Sequence, residues 1–250
     1  MVQSVRFILR RGVLPVALLL MTGAVSLAQP PGQEAPKNLK VLPKDWTRAQ
    51  VVNVMEAFTA ALGVGCNHCH VMNQGSPPDF ASDDKEEKNK ARAMMKIAGD
   101  LNARLPKDFN EPASQLTRIQ CITCHRGVPE PKQLAEILGK TSAEKGFAAA
   151  RDQYMDLKSK YYGAQAYDFS ENGLIATARP LVRNRTDEAM QFLDLNLQLF
   201  PRSAESYVLM AEAQVVKKDT GGAIKSLEKA LEIDPRNFGA RRALDQLKPK

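Results

Sequence analysis

The chain has 250 residues, 44% of them hydrophobic and 25% charged, with a formal net charge of +7. Arg6, Arg10 and Arg11 supply three of those positives within the first 28 residues, which hold no acids, leaving +4 for the rest. Lys and Arg are scattered among Asp and Glu as on ordinary solvated helix faces, which excludes a nucleic-acid footprint, and about 220 residues beyond the first 28 make one large domain or two small ones.

Residues 1–28 read as a secretory signal: a basic start, an apolar run from Gly12 to Val25, and small residues at Ser26-Leu27-Ala28. The apolar run is short for a membrane span. No Cys lies near the cleavage point, so lipid attachment through an N-terminal cysteine is not expected. Residues 29–44, rich in Pro, Lys and Gln, read as a tether. A helix is predicted over 47–62, capped by Thr47, with Val51, Val52, Met55, Phe58 and Leu62 spaced by three and four. Gly63 and Gly65 stop it before the pentapeptide Cys66-Asn67-His68-Cys69-His70. Residues 71–82 hold Gly75, Pro77 and Pro78 and read as a loop. Asp83 is the expected cap of a second helix, which Glu86 and Glu87 favour at its positive end. Its stripe is Met94, Ile97, Ala98 and Leu101, and it is expected to stop near Leu105, ahead of Pro106. An irregular segment leads to a second pentapeptide, Cys121-Ile122-Thr123-Cys124-His125, and Pro129 and Pro131 close the unit.

A further amphipathic helix is predicted over 142–162, with Phe147, Ala150, Tyr154, Leu157 and Tyr161 on one side. Residues 204–237 span 34 positions, the tetratricopeptide (TPR) period, with Tyr207, Met210, Ala211, Ala223, Leu227, Ala230 and Pro235 at its large, small and breaker positions. Gln214 stands where a tyrosine is usual. The preceding unit, 170–203, is more degenerate: Ala189, Leu193 and Pro201 fit, but Gly173 replaces the first large residue. Residues 238–247 read as a closing helix.

Both pentapeptides read C-x-x-C-H, the attachment signature of c-type haem. Two thiols add across the vinyl groups of one porphyrin, and the next residue presents an imidazole to the iron. The motifs use all four cysteines of the chain and two of its three histidines. Zinc pairs usually stand closer together than the 51 residues between Cys69 and Cys121. A thioredoxin-like dithiol needs a βαβ context, and two short disulfides would leave both histidines unexplained. The expected cofactors are two covalently bound haem c groups, on Cys66 and Cys69 with His70, and on Cys121 and Cys124 with His125. Covalent haem attachment normally occurs outside the cytoplasmic membrane, so a periplasmic location follows.

The sixth ligand decides the class of function, since an open iron permits ligand or peroxide chemistry and a filled one favours electron transfer. His68 lies inside its own motif and cannot easily reach the far face of the same haem. Met155, Met190 and Met210 sit at core-like positions, and Met72 directly follows the first motif. Met55, Met94 and Met95 remain, on helices upstream of the two motifs, although methionine on an apolar helix face more often serves packing.

The run from Val54 to His125 resembles the cytochrome subunit of purple-bacterial photosynthetic reaction centres. The similar pieces are Val54-Met55, Gly63-Val64-Gly65-Cys66, Asp79-Phe80-Ala81-Ser82-Asp83-Asp84-Lys85, Ala91-Arg92-Ala93-Met94, Asp100-Leu101-Asn102 and Cys121-Ile122-Thr123-Cys124-His125-Arg126-Gly127. The resemblance implies that a helix before each motif donates an axial Met, which assigns Met55 to the first iron and Met94, rather than Met95, to the second. It also implies electron transfer and a reaction-centre-like partner. The best-known members carry four haems, often a lipid anchor, and no TPR repeats; this chain has motifs for two, like one half of that arrangement.

The expected fold is mostly α. A multihaem cytochrome c domain (45–131), with little regular structure beyond haem-flanking helices, follows the signal (1–28) and linker (29–44). Connecting helices (132–168) lead to TPR-like repeats with a closing helix (169–250). The expected function is a non-enzymatic exported carrier of single electrons, whose partner is a redox protein or membrane electron-transfer complex docked through the repeats. The alternatives are a dihaem peroxidase-like enzyme with one open iron and a TPR assembly scaffold.

Overall fold

The computed structural model describes residues 35–73 and 77–248. The signal segment and the first part of the tether, residues 29–34, lie outside the described residues. The fold is mostly helical, and among the described residues no helix is long and apolar enough to cross a membrane.

Helix α1 (Arg48–Leu62) begins at Thr47, which forms a reciprocal capping box with Gln50. The Thr47 hydroxyl accepts from Gln50 N at 3.4 Å, and Gln50 Oε1 accepts from Thr47 N at 2.8 Å. The helix ends on Gly63, whose φ of 65° is left-handed. Helix α2 (Glu86–Phe109) starts after Lys85, not Asp83, and runs through Pro106 to Asn110. Pro106 lies in the final turn, where its missing N–H removes a single bond near an end that is already frayed. Helix α3 (Cys121–His125) is the second C-x-x-C-H motif itself.

The remaining helices are α4 (Leu134–Lys145), α5 (Phe147–Tyr161), α6 (Glu171–Ala178), α7 (Thr186–Leu199), α8 (Ala204–Val216), α9 (Thr220–Ile233) and α10 (Phe238–Leu247). The single helix expected over 142–162 is divided at Gly146, whose φ of 85° breaks the ladder. Successive helices pack as hairpins around two cores. One gathers Leu138, Tyr154, Phe169, Leu174, Phe192 and Leu209. The other gathers Ala211, Ala223, Leu227, Ala230 and Leu244. Helix α8 contributes to both, and the first core runs across residues 168 and 169 without a break. Side-chain caps mark the helix starts: Ser170, Ser203, Asp219 and Asn237 each accept from a backbone N–H of the first turn.

Two departures from the 34-residue pattern have local causes. Gln214 accepts from the Ser226 hydroxyl at 2.7 Å, a polar tie between α8 and α9. Gly173 lies over the Asp168 carbonyl, and a Cβ there would stand 2.1 Å from that oxygen. Gly173→Ala must push helix and loop apart, at a cost of about 1–3 kcal/mol. Thermal unfolding followed by far-UV circular dichroism should show Tm lowered by several degrees; an unchanged Tm would mean that the loop yields freely.

Candidate haem-binding site

The first motif forms a 3₁₀ turn, with His68 N and His70 N donating to the carbonyls of Gly65 and Cys66, each at 3.0 Å. The ring of His70 meets that of Phe80 edge-on, with centroids 5.2 Å apart and planes at 76°. Phe80 is brought there by a short bridge in which Asp79 N donates to Val71 O at 3.1 Å. The Lys85 ammonium donates to the Asn67 carbonyl inside the motif. The Nδ1 atom of His70 is buried and has no hydrogen-bond partner. Burial lowers the His70 pKa, and the positive charges of Lys88 and Arg92 add to that while the Phe80 backbone opposes it. The ring is therefore held as the neutral imidazole that a metal requires.

The second motif is rigid for different reasons. Gln120 and Thr123 cap α3 reciprocally, and Arg126 and Gly127 close it in the left-handed region. Gly127 N donates to Ala61 O at 2.8 Å, which docks the end of α1 on this motif. Gly63 permits that approach, because a Cβ there would lie 2.1 Å from Gly127 O. The Val128 carbonyl lies 3.0 Å from His125 Nδ1. That geometry assigns the proton to Nδ1 and leaves Nε2 with its lone pair for a ligand. Burial pushes the Cys69 and Cys121 thiols up. None of the four thiols is in a disulfide, and among the described residues they do not converge into a metal cage.

Helix α2 spans the interval between the motifs yet has no buried side chain. Latches at two places hold it. Near its start, Lys88 donates to the carbonyls of Phe80, Ala81 and Ser82, the last at 2.6 Å. Asp83, expected as the helix cap, is instead the shared anion of Lys40, Lys88 and Arg92 and also accepts from Asn38. Ten residues beyond Arg92, Asn102 clamps the segment entering the second motif. Its Nδ2 donates to Ile119 O and its Oδ1 accepts from Ile119 N, both at 2.8 Å.

Met55 is half-buried on α1, and Met95 is half-buried on the side of α2 that carries Ala98 and Asn102. Met94, with Ile97 and Leu101, lies on the neighbouring flank, where the three are 47%, 50% and 41% exposed. Ile122, inside the second motif, and Phe80, beside His70, are exposed as well. Between residues 36 and 131, Ala61 and Val128 are the buried hydrophobic side chains among those described. An apolar surface beside paired thiols and a neutral imidazole, with almost no core beneath it, fits a covalently held porphyrin. Thr123, Cys124, Arg126, Lys132, Tyr167 and Asn172 also line a cleft of about 670 Å³ between the second motif and the C-terminal helices.

The motif residues were visible in the sequence. Asn38, Lys40, Asp83, Lys88, Arg92 and Asn102 were not recognised as site-builders. The sequence signal for Asn102 was a poor helix former inside a helical stretch.

The Asp83 cluster has a pH consequence. Hydrogen bonds from Lys40 first, then Asn38 and Arg92, hold the Asp83 carboxyl well below the usual carboxylate range. A depressed folded pKa gives stability that is present above the unfolded value, about 4, and is lost as pH falls through the folded one. Asp83→Asn should therefore be less stable than wild type near neutrality, and the gap should narrow below about pH 4. Urea unfolding across that range tests this; a gap independent of pH would contradict it.

The family described as photosynthetic reaction centre cytochrome C subunit matches residues 17–212, most of the chain. Cytochrome c-554 of Chloroflexus aurantiacus is 39% identical over 82 residues, covering 32% of this chain and 18% of that protein. The photosynthetic reaction center cytochrome c subunit of Thermochromatium tepidum is 34% identical over 105 residues, covering 41% and 23% respectively. That of Rubrivivax gelatinosus is 32% identical over 100 residues, covering 39% and 24%. The matched segment thus spans less than a quarter of each relative's length. With its motifs, uncovered helix and family match taken together, the chain belongs to the photosynthetic reaction centre cytochrome c subunit family.

Proposed function

We propose that this chain is an exported dihaem c-type cytochrome that carries single electrons. The observation that carries the reading is the second helix, 24 residues long and without a buried side chain, lying between two C-x-x-C-H turns. Most helical stability in proteins comes from packing an apolar face, so this uncovered flank supports a cover other than polypeptide. Cys66 and Cys69 hold one haem and Cys121 and Cys124 the other, with His70 and His125 as proximal ligands. Haem supplies a one-electron iron couple when bound.

Met55 and Met94 fill the distal positions in this reading. The uncovered flank formed by Met94, Ile97 and Leu101 supports Met94 over its half-buried neighbour Met95. A thioether ligand raises the potential relative to a second imidazole. A filled sixth position leaves no role for substrate, so the protein acts by holding, shielding and tuning its cofactors. Residues 1–28 direct the chain to the periplasm.

The electron partner is a redox protein or a membrane electron-transfer complex of the kind named in the relatives. The haem domain occupies 45–131, connecting helices 132–168, and TPR-like repeats 169–250. Because Tyr154, Phe169 and Leu174 share one core, connector and first repeat fold as one body. The stacked hairpins α8 to α10, with exposed Val215 and Val216, dock the partner and raise its effective concentration.

Mass spectrometry of the denatured holoprotein should find two haem additions, and replacing either Cys pair by Ala should remove one. The oxidised protein should show the weak red absorption of an iron–sulfur bond. Met55→Ala and Met94→Ala should each remove half of it and open one iron to exogenous ligands. The same effect from Met95→Ala, with none from Met94→Ala, would move the second ligand by one residue.

Ending the chain after Lys218 removes α9 and α10 while keeping the first core. Haem spectra should be unchanged, and electron transfer to the native partner should slow at low protein concentration. Transfer at the full-length rate would rule out docking by these helices.

A further inference from the structure

The two motifs are alike in sequence but differ in surroundings. Lys88 and Arg92 are nearly buried, with side chains 12% and 14% exposed. Lys88 is locked by the carbonyls of Phe80, Ala81 and Ser82, and Phe80 is the residue whose ring meets His70. Asp83 is a single carboxylate shared by Lys40, Lys88 and Arg92, so the cluster retains an excess of positive charge. Lys85 and Glu87, which act on Cys69 with opposite sign, offset one another. No acceptor meets His70 Nδ1 in hydrogen-bonding geometry; the Phe80 backbone, which acts on His70 in the opposite sense to Lys88, has its carbonyl already receiving the Lys88 ammonium at 3.0 Å.

At the second motif the arrangement is reversed. His125 Nδ1 donates to the Val128 carbonyl at 3.0 Å, which makes the imidazole a stronger donor to a metal and favours the more positive iron. The nearest cation in sequence, Arg126, is exposed and turns toward the Gln165 carbonyl at 3.4 Å, where solvent and salt screen it.

We propose that Lys88, its ammonium fixed on the carbonyl of Phe80, whose ring meets His70, makes the iron held by His70 the more oxidising of the two, so that electrons pass from the second haem to the first. This rests on the dihaem reading above. A fixed cation in a partly buried site disfavours Fe(III) more than Fe(II). The unpaired Nδ1 of His70 acts in the same sense, by leaving that imidazole the weaker donor. In the step itself the second iron loses one electron and the first gains it, with no proton moved. The reductant is a one-electron donor protein. Lys88 touches neither reacting atom and is a positioning residue.

The test is a potentiometric titration of the holoprotein followed at the haem absorption bands. Wild type should titrate in two steps. Cys121→Ser/Cys124→Ser, which keeps only the first haem, should retain the higher step. Lys88→Gln should lower that step and leave the other in place, and Lys88→Arg, which keeps the charge, should restore it. The proposal is overturned if Lys88→Gln titrates as wild type or shifts the lower step. It is equally overturned if the first-haem-only protein retains the lower step, a measurement that does not depend on Lys88→Gln folding. A wild-type mass with one haem would remove the dihaem reading itself, and it is read on the mass spectrum rather than from potentials.

Discussion

Residues 36–131 cannot bury their own apolar surface, and the organisation of that half follows from this constraint. In ordinary helical domains a 24-residue helix lays an apolar stripe on a neighbour, and burial of each large side chain contributes about 1.5–3 kcal/mol. Helix α2 gains almost none of that: Met94, Ile97 and Leu101 face outward. Polar latches hold it instead, at Lys88, Arg92 and Asp83 near one end and at Asn102 further on. A cofactor attached at the motifs would cover that surface, and its binding energy would then count as folding energy.

The latches explain the spacing of the parts. Lys88 gathers three successive carbonyls of the loop that presents Phe80 to His70. Asn102 fixes the backbone immediately before Cys121. One helix therefore sets the placement of both motifs, and its register decides which side chains stand over each. The end of α1 meets the second motif at Gly127, an approach that the missing Cβ of Gly63 permits. Helix α1 thus leads into the first motif while bracing the second.

The C-terminal helices obey the opposite rule. They are self-sufficient, with Tyr154, Phe192, Leu193 and Leu227 essentially buried, and Asn196 Nδ2 donates to Ser206 Oγ at 2.6 Å between helices, while Asn196 Oδ1 and the Tyr154 hydroxyl are left without a partner. A self-contained helical stack thus adjoins a half with almost no core of its own. The cleft between the second motif and helices α4 and α6 is where they meet.

What the sequence determined by itself was local. Two C-x-x-C-H pentapeptides, the cap at Thr47, the periodic stripes of α1 and α2 and the helical 34-residue pattern over α8 and α9 all depend on residues a few positions apart. Short-range hydrogen bonding and helical periodicity are written in that spacing. The tertiary structure decided the rest. Asp83 looked like a cap because caps are local, but Asn38 and Lys40, more than forty positions earlier, recruit it into an ion cluster. Pro106 looked like a stop, but the helix had only its final turn left. Residues 142–162 looked continuous because periodicity survives a single glycine, and only the backbone angle at Gly146 shows the break. The difference between His70 and His125 was equally hidden, since it lies in which carbonyl reaches Nδ1. Contacts of that kind join groups that no local pattern relates, and only the folded chain brings them within hydrogen-bonding distance.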